Sequence, residues 1–295
     1  MNKKLRGDML LFLTALIWGA SFVAQKAGMD YIGPFTYNFL RFLLGSFVLI
    51  PVILFMNGLQ RKKASACNSA APEACESDAA GAKTRGDKKT LILGGVACGI
   101  VLFFAGALQQ IGMMYTTAGK AGFITALYIV LVPILGLFLG HRVRPVLWIC
   151  VVLATAGLYL LCVKEDLSVG KGDLLVLACA LGFSLHILVI DHFSPKVDGV
   201  KLSCLQFLVA GLLSVPFAAA FESIDWMNIL SCWMPVMYSA VMSCGIAYTL
   251  QIIAQKDTEP TVASLILSLE SVFAVIAGII LLHEQVSSRE LLGCV

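Results

Sequence analysis

The stretch GDMLLFLTALIWG (residues 7–19) returns as GDLLVLACALGFS (172–184), with Gly, Asp, Leu, Ala and Leu coinciding at five of thirteen positions, offset by 165. A second pair, FLGHRVRPVLWICVV (138–152) and LLHEQVSSRELLGCV (281–295), shares a polar turn followed by an apolar run at an offset of 143. The chain therefore contains two related halves. The offsets differ by 22 residues, so the first half carries extra sequence between these points. Segment 57–90, NGLQRKKASACNSAAPEACESDAAGAKTRGDKKT, is where that insertion falls. It has almost no large apolar residues, buries too little to order itself, and is expected to be a flexible cytoplasmic loop.

Around these repeats the chain is 59% hydrophobic and 13% charged, with mean hydropathy +0.90. A soluble domain carries about 25% charged residues. This composition cannot cover a water-facing surface and points to an integral membrane protein. The net charge of +3 gives no argument for nucleic acid. Spanning takes about 20 apolar residues. That ruler predicts helices near 8–28, 35–56, 90–113, 119–139, 144–163, 173–191, 200–220, 229–252 and 261–282, with a tenth beginning near 289. The runs are continuous rather than alternating, which argues against transmembrane strands. The basic, apolar N-terminus reads as a retained first helix, since its apolar run is long for a signal peptide and no small-x-small cleavage site follows.

Five helices per half is an odd number, so the second half enters from the opposite face. The expected fold is an all-α membrane protein, a ten-helix inverted repeat (5+5), with residues 1–163 as the first repeat and 164–295 as the second. By symmetry with LATAGLYLLCVKED (153–166), about fifteen apolar residues are expected after Val295 to complete a tenth helix that is truncated in this chain. Fifteen Lys and Arg residues fall on the side of the N-terminus and five on the other, which predicts a cytoplasmic N-terminus.

Four segments carry a resemblance: LIWGASFVAQKAG (16–28), GPFTYNFLRFLLG (33–45), TTAGKAGFITALYIVLVPILGLFLGHRV (116–143) and EPTVASLILSLESVFAVIAGIILLHEQV (259–286). As an ordered set they resemble EamA-type members of the drug/metabolite transporter superfamily. The resemblance implies ten helices, both termini cytoplasmic, and export of small metabolites through a central cavity. The glutamate that often closes the fourth helix in that family is His141 here, while its counterpart Glu284 is retained. The proline common before that helix's core is replaced by Tyr128 and Ser271.

Polar groups within hydrocarbon are costly, so each is a candidate for function. Glu270 lies about nine residues into helix nine, roughly 14 Å deep, and an ionised carboxylate there needs a cation, a proton or a partner. His186 sits near the middle of helix six. Trp18, Ser21 and Gln25 form one semi-polar stripe on helix one. Gln109 and Gln110 on helix three, Thr125 and Tyr128 on helix four, and Tyr248 and Gln251 on helix eight add neutral hydrogen-bonding groups. Such an apolar cavity suits an uncharged, zwitterionic or aromatic solute. For each of these residues, packing between helices is the competing reading. Arg41 lies about two turns inside the outer end of helix two, where snorkelling to the headgroups is expected. Gly95/Gly99 and Gly136/Gly140 read as close helix packing. Asp191 and His192 read as solvated helix ends.

Of the ten cysteines, eight sit in or beside apolar runs, and no CxxC, HExxH or GxxxxGK[ST] motif occurs. No metal, cofactor or direct use of ATP is expected. The expectation is a multi-pass transporter of a bacterial inner membrane that exports amino acids or related small metabolites by alternating access. Its partners are the metabolite and the lipid bilayer, and a homodimer is compatible with this reading. A non-transporting scaffold or sensor is the alternative. An intramembrane enzyme is less supported, because no nucleophile, base and metal set is clustered.

Overall fold

The computed structural model describes residues 3–68, 88–116, 118–140, 143, 145–162 and 170–282. The described residues contain thirteen α-helices and a π-helical segment. The first half comprises α1 (Lys3–Met29), α2 (Pro34–Asn68), α3 (Lys88–Tyr115), α4 (Ala118–Ala126), α5 (Tyr128–Phe138) and α6 (Pro145–Cys162). The second comprises α7 (Lys171–Phe193), α8 (Gly199–Phe221), α9 (Trp226–Ser231), α10 (Trp233–Tyr238), the π segment Ser239–Tyr248, α11 (Thr249–Ala254), α12 (Pro260–Leu267) and α13 (Glu270–Leu282). Eight stretches are long and apolar enough to cross a membrane, and α6 begins with a shorter apolar helix. The protein is a multi-pass, all-α membrane protein. The stretch expected to open a tenth helix lies outside the described residues, as do His141 and Glu284.

The two halves interlock rather than sit side by side. α3 packs along α7 and α8, α2 along α8, and α1 along α13 and the π segment. Lipid offers no hydrophobic drive between helices, so close approach through small residues does this work. A Cβ on Gly99 would lie 2.6 Å from Val209, and one on Gly95 would lie 2.4 Å from Leu205, so α3 and α8 meet through these two glycines. Gly140 differs from the expected packing role. It follows α5 with φ +82 and, among the described residues, no neighbour within 4 Å of a built Cβ, so it ends the helix in the left-handed conformation. The lipid-facing side is apolar, for example Val146, Ile149, Val152 and Leu153 on α6.

The helix starts are tied across the repeats as well. The N–H groups of Phe35 and Thr36 donate to the two carboxylate oxygens of Glu222, both at 2.7 Å, so the end of α8 caps the start of α2. α8 is capped by its own Asp198, which accepts from Val200 and Lys201.

Four helix boundaries differ from expectation. The second helix runs to Asn68, so residues 57–68 of the expected loop are helical, and 69–87 lie outside the described residues. Gln, Lys, Arg and Ala favour a helix that is already nucleated in the membrane. Residues 226–231 form a separate short helix with exposed Trp226, Met227 and Leu230, followed by exposed Trp233. Indole rings favour the membrane–water boundary. The fourth and ninth spans, expected to be continuous, are each broken. At Leu127 and at Leu269 the backbone N–H reaches back only three residues, to Ile124 and Ile266. Pro133 cannot donate to the carbonyl of Ile129, which loosens the first turn of α5. At the second break Ser264 and Ser268 hydroxyls donate to the carbonyls of Thr261 and Leu265, competing with the helical ladder.

Candidate functional site

The two breaks fall at nearly matching places in the two halves. After each one the helix restarts, at Tyr128 and at Glu270, 142 residues apart. This is one residue off the 143 register of the later segments. The restart residues touch: the Tyr128 hydroxyl donates to Glu270 Oε1 at 2.9 Å, and both side chains are buried. Broken helices whose half-helix starts converge inside the bundle are a recurrent way to expose polar backbone to a cavity rather than to lipid.

Around this pair lies a cavity lined by residues of both repeats. Trp18, Phe22, Phe183, Ile187 and Tyr248 supply the apolar wall, and Gln25, Gln109, Thr125, Ser243 and Gln251 the neutral polar groups. Arg41, His186 and Glu270 supply the ionisable ones, and Tyr128 completes the lining. The cavity volume is about 30 Å³. In this conformation the site is too small for a metabolite. Trp18 and Tyr248 meet edge to face with centroids 4.5 Å apart, and His186 stands 5.9 Å from Tyr248. The Tyr248 ring is carried by the π segment, whose wider turn redirects side chains into the bundle.

The polar contacts divide by repeat. In the first half, Gln25 donates to Ser21 and accepts from Arg41 Nη1. In the second, His186 Nε2 and Gln206 Oε1 are 3.0 Å apart. The 165 register pairs Ser21 with His186 and Arg41 with Gln206, so one polar arrangement occurs twice with different chemistry. Several buried polar atoms find no partner among the described residues: Trp18 Nε1, Gln251 Oε1, Gln206 Nε2, and Arg41 Nε and Nη2. Unpaired buried groups are costly, and those of Trp18, Arg41 and Gln251 belong to the cavity lining, where a polar ligand could meet them.

Of the expected residues, Trp18, Gln25, Gln109, Thr125, Tyr128, His186, Tyr248, Gln251 and Glu270 line this cavity. Ser21 lies behind Gln25 as its acceptor, and Gln110 points to Met29 Sδ at 3.8 Å, away from the lining. Arg41 corrects the snorkelling expectation. It is 2% exposed and lies against the Phe42 ring, 4.6 Å from its centroid, because its face of α2 turns into the bundle. Phe22, Phe183, Ile187 and Ser243 were not anticipated. The 165 register would have found two of them, since it carries Trp18 to Phe183 and Phe22 to Ile187. Ser243 gave no signal beyond lying in an apolar run.

At the end of the bundle where α3 closes and α7 opens, Lys120 and Asp173 form an ion pair at 2.7 Å. Asp173 also accepts from the Thr116 hydroxyl and the Gly170 N–H, and Lys26 donates to the carbonyls of Met113 and Thr116. The pair joins α4 of the first repeat to α7 of the second. Asp191 lies in a separate cleft at the opposite end with Gln255, Lys256 and Glu259, and His192 is exposed beside Lys196. No group of three His, Cys, Asp or Glu is gathered among the described residues.

The model of the EamA-like transporter family matches residues 5–163 and 170–295. An uncharacterized transporter of Archaeoglobus fulgidus is 30% identical over 294 residues, covering 99% of this chain and 83% of that protein. The uncharacterized transporter YoaV of Bacillus subtilis is 23% identical over 286 residues, covering 94% of this chain and 89% of its own length. A solved crystal structure is similar with a TM-score of 0.74 over 98% of this chain and 92% of that one; at 19% identity the likeness is one of fold.

Proposed function

This chain belongs to the EamA-like transporter family, and from that premise we propose that it exports amino acids or closely related small metabolites by alternating access. The observation that carries the reading is the Tyr128–Glu270 pair: each repeat contributes one helix break, and the breaks meet at the cavity wall. A carboxyl group there can take a proton or a substrate ammonium, and the aromatic and amide lining suits the remainder of a small polar metabolite. The inverted arrangement supports alternating access, since the same hinge exists once for each side of the membrane. Export and a cytoplasmic N-terminus in a bacterial inner membrane rest on the resemblance and on the asymmetry of Lys and Arg.

The test is counterflow. Purified protein in liposomes preloaded with one unlabelled amino acid is expected to accumulate the same labelled amino acid transiently, for at least one member of a panel. Equal, unsaturable leak for every member, matching empty liposomes, would leave the scaffold or sensor reading in its place.

A further inference from the structure

We propose that Arg41 is the subsite for the carboxylate of the transported solute, which makes the substrate a carboxylic acid or a zwitterion and not an amine or a neutral metabolite. The inference rests on the transport reading above and names the chemistry of its ligand.

Arg41 is charged, 2% exposed and part of the cavity lining. One of its three nitrogens, Nη1, is held by Gln25, an uncharged amide. Nε and Nη2 find no partner among the described residues, and the ion pair found among them, Lys120–Asp173, does not involve Arg41. A buried guanidinium without a carboxylate is strongly unfavourable, and aromatic faces at 4.6 Å and 5.9 Å return only a small part of the lost hydration. Glu270 lines the same cavity but is bound to Tyr128.

The surroundings leave a fork free. Gln25 fixes the guanidinium by one end, so Nε and Nη2 present the edge that binds a carboxylate through two parallel hydrogen bonds. Gly106 of α3 lies beside this edge, and a Cβ built there would crowd Nη2 at 3.2 Å, so a larger residue at this position would narrow the approach to it. The equivalent position of the second repeat is Gln206, which is paired with His186. A general packing role would be met by an amide at both positions. The charge is present in one repeat alone, where Nε and Nη2 find no partner among the described residues.

The test compares each of the proteinogenic amino acids with its own α-amide, which keeps the side chain and ammonium and removes the anionic charge. The readout is ligand-induced thermal stabilisation of the full-length protein in detergent, with counterflow in liposomes beside it. For at least one pair the acid is expected to stabilise the wild type at a concentration about tenfold or more below that of the amide. Arg41→Gln is expected to lose this discrimination, and Arg41→Lys to keep part of it. Acid and amide acting alike on the wild type, or no acid acting at all, would overturn the assignment without recourse to any variant. So would Arg41→Gln binding the acid as the wild type does. Discrimination in binding without flux of any solute would retain the carboxylate subsite and remove the transport reading.

Discussion

Glu270→Gln is expected to reduce transport by tenfold to a hundredfold while leaving the melting temperature in detergent nearly unchanged. The amide is close to isosteric and its oxygen still accepts from the Tyr128 hydroxyl, so the bond between the two helix breaks is retained. What disappears is the ability to carry a negative charge or a proton inside the bundle. Losing a charge-assisted contact to a buried group corresponds to about 1.5–3 kcal/mol, hence the stated range. Tyr128→Phe removes the bond but not the carboxyl, and is expected to have the smaller effect. Flux of Glu270→Gln indistinguishable from wild type across about pH 5–8 would assign Glu270 to packing.

Cross-linking Lys120→Cys to Asp173→Cys with a short, cleavable dithiol-reactive linker is expected to stop transport, and cleavage to restore it. In the folded protein this ion pair joins α4 to α7 at one end of the cavity, and the Lys120 side chain is 35% exposed. Lys120 is about a third exposed although Asp173 is buried, so the ion pair itself adds about 1 kcal/mol or less to the closed end. That weakness is what a contact broken in every cycle requires. α4 is separated from α5 by the break at Leu127, so it can swing without dragging the rest of the fourth span. The linked α4 could not leave α7, and the end would stay shut. Full flux in the linked protein, with linkage verified by mass, would show that this end does not open in transport.

Much of this architecture is legible in the sequence because hydrocarbon is a demanding solvent. The spans, the odd number per repeat and most cavity residues follow from the cost of polar groups at depth, and Trp18, Gln25, His186, Tyr248 and Glu270 were found this way. Depth alone was a poor guide at Arg41. Two turns from a helix end permits reach to the headgroups, but the direction of the side chain is decided by which face of α2 meets the neighbouring helices. The breaks at Leu127 and Ser268–Leu269 escaped notice for a different reason. Neither carries a glycine–proline signal, and the loss of regular helix goes with Pro133, six residues past the first break, and with the Ser264 and Ser268 hydroxyls at the second. The π segment left no trace in composition. Residues 57–68 are polar enough to suggest a loop, yet Gln, Lys, Arg and Ala extend a helix well once it has started.

The central claim is that the cavity between the repeats opens to each side of the membrane in turn. Ser243 lines it, is 2% exposed and has a small side chain, so cysteine fits there. In a functional variant whose ten native cysteines are replaced, Ser243→Cys can be challenged with a membrane-impermeant thiol reagent in right-side-out and in everted vesicles. The cavity admits no more than water in the present conformation, so labelling reports opening. The account predicts labelling from both sides, slowed from both by the transported solute. Labelling from one side only, or from neither while transport continues, would contradict it.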